Sequence, residues 1–103
     1  MLILPIKGVY FSMIDSGVKL EEYRELSPYY KSRFKNLFEM HPGSFAPCGR
    51  DKKKIWLRNG YSAARPTLEV TCTLTIRTGN PDWGAVPGKK YYVLEILDKK
   101  RIV

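Results

Sequence analysis

Lys19, Glu22 and Arg24 fall within one short segment, Gly17-x-Lys19-x-x-Glu22-x-Arg24, and are the residues of this chain best suited to chemistry. From Lys19 to Leu26 the residues alternate. Leu20, Glu22, Arg24 and Leu26 share one face, and Lys19, Glu21, Tyr23 and Glu25 share the other, as in a strand. Residues two apart on a strand lie about 6.5–7 Å apart, so Glu22 and Arg24 are close enough to hold one partner between them. If Leu20 and Leu26 face the interior, Glu22 and Arg24 must face it too. A buried carboxylate and guanidinium are costly unless paired and hydrogen-bonded. Two readings follow: a structural ion pair, or the floor of a ligand cleft. Lys19, between Gly17 and this strand, is expected at the rim. There its ammonium meets an anion or serves as base or nucleophile, and a rim lysine supports no packing. A solvated surface lysine is the plainer alternative.

A second candidate is Arg58-Asn59-Gly60-Tyr61, with a guanidinium at a strand end, an amide able to read a base edge and a ring able to stack. Its alternative is a tight Asn-Gly turn with Tyr61 lidding the core. Trp83 is expected to cover the open side of the fold, base stacking being its other reading. Cys48, Cys72 and His41 have no zinc-like spacing, so buried or incidental thiols are expected and neither metal nor cofactor is called for. A single histidine excludes a two-histidine ribonuclease, and no Ser-His-Asp set is present. Lys and Arg number 18 against 10 Asp and Glu, a net charge of +8 that draws polyanions as well as keeping a domain soluble. Arg50, Lys52, Lys53 and Lys54 form the densest basic run, expected beside the cleft.

The elements that must position these residues can be read in order. Leu2-Ile3-Leu4-Pro5-Ile6 reads as a first strand; it is too short for a signal-peptide core, and the expected compartment is the cytoplasm, with no membrane span. Val9, Tyr10, Met13 and Ile14 recur at helical spacing until Gly17, a left-handed cap. Ser27-Pro28 starts a second helix, reaching about Phe38 with Tyr30, Phe34, Leu37 and Phe38 as its apolar stripe. Glu39 to Lys53 reads as loop, including His41-Pro42-Gly43-Ser44. Ile55-Trp56-Leu57, Thr67 to Thr78 and Tyr91 to Leu97 read as strands, and the charged tail from Asp98 is left open. The 103 residues accommodate one domain with one core. The expected class is α+β, a small β-barrel of five to six strands with two flanking helices, since closure removes exposed edges.

The Gly17 to Arg24 segment resembles the GxKxxExR motif of ASCH domains, relatives of the PUA fold. LRNGY at Leu57 to Tyr61 and WGAVPGKKYYVLEI at Trp83 to Ile96 resemble small bacterial and phage ASCH proteins, in the expected order over nearly the whole chain. The resemblance implies a PUA-like barrel with a motif-lined cleft for RNA or a nucleotide-like ligand. Lys19, Glu22, Arg24, Arg58, Asn59 and Tyr61 are then its ligand-binding residues. For some members it implies hydrolysis of modified nucleosides or RNA, which would make Lys19 and Glu22 catalytic. Glu22 stands where members hydrolysing acylated cytidine resemble Lys-x-x-Thr, and no motif places their further acidic residue, so that mechanism does not transfer directly. Three functions are in view: a binding module for single-stranded RNA or a nucleotide, a small hydrolase, and an interaction protein with a vestigial cleft.

Overall fold

In a computed structural model, residues 1–41, 46, 47 and 49–103 are described. Cys48 and the loop residues Pro42, Gly43 and Ser44 lie outside them. The elements run β1 (Ile3–Ile6), α1 (Gly8–Asp15), β2 (Glu21–Arg24), α2 (Pro28–Lys35), β3 (Lys53–Asn59), β4 (Thr67–Thr78), a 3₁₀ turn (Pro81–Trp83) and β5 (Lys90–Arg101). This is an α+β fold with two helices and one mixed five-stranded sheet, ordered β1-β3-β4-β5-β2. β1 runs parallel to β3, and the other pairs are antiparallel. Among the described residues no helix is long and apolar enough to cross a membrane.

Alternation along the strands builds two apolar layers. Leu4, Ile6, Ile55, Leu57, Val70, Cys72, Leu74, Tyr92 and Leu94 point to one side, where Phe11 and Ile14 of α1 and Phe34 of α2 cover them. Across β5 and β2 the other face is also buried: Tyr23, Tyr91 and Val93 pack beneath Ala85 and Trp83 of the segment joining β4 to β5. Cys72 lies in the main core, and burial pushes its thiol up to about 12.

The sheet does not close into the expected barrel; β1 and β2 remain its two edges. Pro5, without an N–H, suits an edge position. No backbone ladder joins β1 to β2, and a side chain spans the gap instead: Arg24 Nη2 donates to the Pro5 carbonyl at 2.9 Å. Other boundaries also shift. β2 is only four residues long, and Leu20 and Leu26, expected inside, are 52% and 45% exposed. Leu20 precedes the strand, over a shallow hollow with Ile14, Ile96 and Leu97, and Leu26 lies where the chain leaves β2 for the Ser27 cap. α2 stops a turn before Phe38, although Phe38 is buried. β5 continues through the charged tail to Arg101, pairing Asp98–Arg101 with Leu68–Thr71 past an irregularity at Thr71/Cys72.

Candidate functional site

The end of α1 delivers Lys19 to the site. Gly17 takes φ +84°, a left-handed conformation that favours glycine, and its N–H bonds the Ile14 carbonyl while the Lys19 N–H returns to Met13. Lys99 Nζ holds the Ile14 and Asp15 carbonyls at 2.7 and 2.6 Å, a cation placed at a helix C-terminus.

Lys19 does not sit at a rim. It is 1% exposed. Its ammonium donates to Glu22 Oε1 at 2.7 Å and to the Trp83 carbonyl at 2.8 Å, and lies 4.1 Å from the centre of the Tyr10 ring. An ammonium has three donors, and these three partners surround it. Desolvating a cation costs several kcal/mol, which is why so many partners are gathered on one nitrogen. β2 begins only at Glu21, so strand alternation does not fix Lys19, and its side chain turns inward onto Glu22, Trp83 and Tyr10.

Glu22 is buried between two cations, with Oε1 on Lys19 and Oε2 3.2 Å from Arg24 Nη1. Arg24 also donates to its neighbour's carbonyl, Tyr23 O, at 2.7 Å, besides reaching Pro5 across the open seam. Glu22 and Arg24 thus share a face as strand alternation requires, opposite Leu94 and Tyr92 of β5.

The other face of β2 carries a separate network that holds the β4–β5 segment. Tyr23 Oη donates to Glu21 Oε1 at 2.6 Å and accepts from Asn80 N at 2.8 Å, while Arg77 pairs with the remaining Glu21 oxygen. Burial would raise the Glu21 carboxyl, but the bonds from Arg77 and Tyr23 outweigh it and hold the group below its ordinary value. Burial pushes the Tyr23 phenol far up; the Asn80 N–H works against this, and donation to Glu21 adds to it. Gly84, at φ +100°, is one close-approach point of this segment. A Cβ there would stand 2.5 Å from the Tyr10 hydroxyl oxygen.

Beside these networks a hollow of about 280 Å³ opens at the seam between the sheet edges. Lys7, Tyr10, Arg24, Tyr30, Tyr61 and Trp83 line it, together with Glu22 and the end of β1. Of the residues singled out in the sequence, Glu22, Arg24, Tyr61 and Trp83 meet there, and Lys19 supports the wall from behind. Asn59 lines an adjoining hollow with Lys7, Gly8 and Tyr61. Its amide oxygen would be 3.3 Å from a Cβ on Gly8, so the glycine admits it. Arg58 lines neither hollow and bonds Thr67 Oγ1 at 3.1 Å. Trp83 packs on the Tyr23 cluster, and its carbonyl serves Lys19.

The basic run is also displaced from expectation. The cleft lies where Ile6 pairs with Asn59, and five residues of strand, about 16 Å, separate Asn59 from Lys54. Sequence reasoning missed Lys7, Tyr10 and Tyr30. Tyr10 and Tyr30 read as apolar helix positions, and the available signal was their hydroxyl, which suits a half-wet wall better than a core. Among the described residues no group of three or more His, Cys, Asp or Glu is placed to hold a metal ion. Compared with protein-family models, with curated proteins and with solved structures, this chain matches none.

Proposed function

We propose that the seam between β1 and β2 is a binding cleft for a nucleotide or short single-stranded RNA, in a module of the ASCH, PUA-like type. One observation carries this reading: the Arg24 guanidinium, the exposed Lys7 ammonium and the rings of Tyr10, Tyr30 and Tyr61 converge on one open hollow. Cations beside aromatic faces suit a phosphate joined to a planar base, and stacking on tyrosine needs no particular sequence. At about 280 Å³ the hollow is near the small end of ligand pockets and suits one base rather than a duplex. With one carboxylate against Lys7, Lys19 and Arg24, the charge around it favours an anion.

Hydrolysis by Lys19 and Glu22 is the weaker reading. A base or nucleophile needs a lone pair aimed at substrate, and Nζ of Lys19 is aimed at Glu22, Trp83 and Tyr10. Thermal melting with each ribonucleoside 5′-monophosphate tests the proposal, because a ligand of the native state must raise stability. Wild type should shift upward with ligand concentration. Lys7→Gln, a change at an exposed and unpacked position, should weaken binding about tenfold and leave the ligand-free melt unchanged. No shift with any nucleotide or short RNA removes the proposal.

A further inference from the structure

The free edge of β1 is occupied in a regular way. The carbonyls of Ile3 and Pro5, two residues apart, each face an arginine side chain: Arg33 Nη2 at 3.4 Å on Ile3 and Arg24 Nη2 at 2.9 Å on Pro5. Strand geometry separates these carbonyls by about 6.5–7 Å, which suits successive phosphates of an extended strand. Each guanidinium is also paired with a tyrosine from the start of α2, Arg24 lying 5.9 Å from the Tyr30 ring centre and Arg33 5.5 Å from that of Tyr29. An arginine–tyrosine unit is therefore repeated along one edge, its first copy in the cleft and its second just outside.

The second unit carries unused capacity. Among the described residues no carboxylate pairs with Arg33, the bond from its guanidinium to Ile3 is long, and its Nε is buried without a partner. A partly buried cation so poorly compensated gains from an anion close by. Tyr29 is 62% exposed, an open face beside that charge.

We infer that Arg33 and Tyr29 form a second subsite, which takes the neighbouring nucleotide of a single-stranded nucleic acid whose first nucleotide lies in the cleft. The inference rests on the reading of the cleft as a nucleotide site and narrows its ligand from a mononucleotide to an oligonucleotide. The strand runs along the β1 edge, with Arg24 and Arg33 on successive phosphates and Tyr30 and Tyr29 beside successive bases.

The test compares the four ribonucleoside 5′-monophosphates with mixed-sequence tetranucleotide RNAs, on wild type, Arg33→Gln and Tyr29→Ser. The Arg33 bond to Ile3 is long, and Tyr29 is largely exposed with its ring edge-on to Tyr30, so both variants should fold. The expected result is tetranucleotide binding about tenfold or more tighter than mononucleotide binding, with that advantage lost in both variants and mononucleotide affinity unchanged. Tetranucleotides that bind wild type no better than mononucleotides overturn the second subsite and leave the cleft standing. Unaltered tetranucleotide affinity in both variants does the same. If neither ligand binds, the cleft reading and the subsite fall together. Displacement of the RNA by poly-glutamate of equal charge, with equal efficiency, overturns nucleic acid as the partner in favour of an acidic peptide.

Discussion

Lys19 is held by a carboxylate, a carbonyl and a ring face, so its substitution tests what the motif does here. Lys19→Met leaves Glu22 with Arg24 and a long 3.4 Å bond from the Tyr23 N–H, and strips the Trp83 carbonyl of its donor. Breaking a buried pair from one side costs about 3–5 kcal/mol, and the retained Arg24 contact puts the expected loss near the lower end, about 3 kcal/mol by urea unfolding. An unchanged midpoint would contradict the buried ammonium. The sequence made the clustering of Lys19, Glu22 and Arg24 legible, and strand alternation put the last two on one face. It did not reveal which of the three would be buried most deeply. That depended on Tyr10 and on the Trp83 carbonyl, 64 residues away, which no local pattern connects to Lys19.

The β4–β5 segment forms one wall of the cleft, and two features of it are testable. Gly84→Ala forces a side chain into a left-handed conformation and against Tyr10; a loss of more than about 1 kcal/mol is expected, with altered Trp83 fluorescence. The Glu21–Arg77–Tyr23 network makes stability depend on pH at both ends. A carboxyl lowered in the folded state stabilises the fold above its unfolded value, about 4.3, and that contribution disappears as pH falls through the folded value. Melting temperature should therefore drop below about pH 4.3, and less steeply in Glu21→Gln. Tyr23 is raised, so its contribution is complete below the unfolded value of about 10 and fades as pH climbs beyond it. Tyr23→Phe should flatten that alkaline decline. At this scale the sequence was readable where turn residues punctuate it. Gly17 ended α1, Ser27 with Pro28 began α2, and Thr67–Thr78 is the observed β4. It was less readable where apolar signal fades. Asp98–Arg101, one acid and three bases, has no apolar residue to mark a face, and only pairing with Leu68–Thr71 makes it strand.

At the scale of the whole molecule, topology puts the cleft where the sheet fails to close. The expectation of a barrel rested on the need to protect strand edges. The chain meets that need partly with arginines, Arg24 and Arg33 on the edge of β1, rather than with a final ladder. Charge follows the same division. The Lys52–Lys54 run lies at the far end of β3, so on the proposed reading Lys7, Arg24 and Arg33 would carry the contacts to a bound strand. About three phosphates give a log–log salt slope near −2. A slope near zero would remove the electrostatic contribution, and one well beyond −4 would bring the distant run into the interface. The most direct test of the cleft is a backbone-amide NMR titration with a short single-stranded RNA. Saturable shifts are expected at Lys7, Arg24, Tyr30 and Tyr61, extending to Tyr29 and Arg33. Shifts confined to Lys52–Lys54, or spread over the surface without saturation, would contradict the proposed cleft.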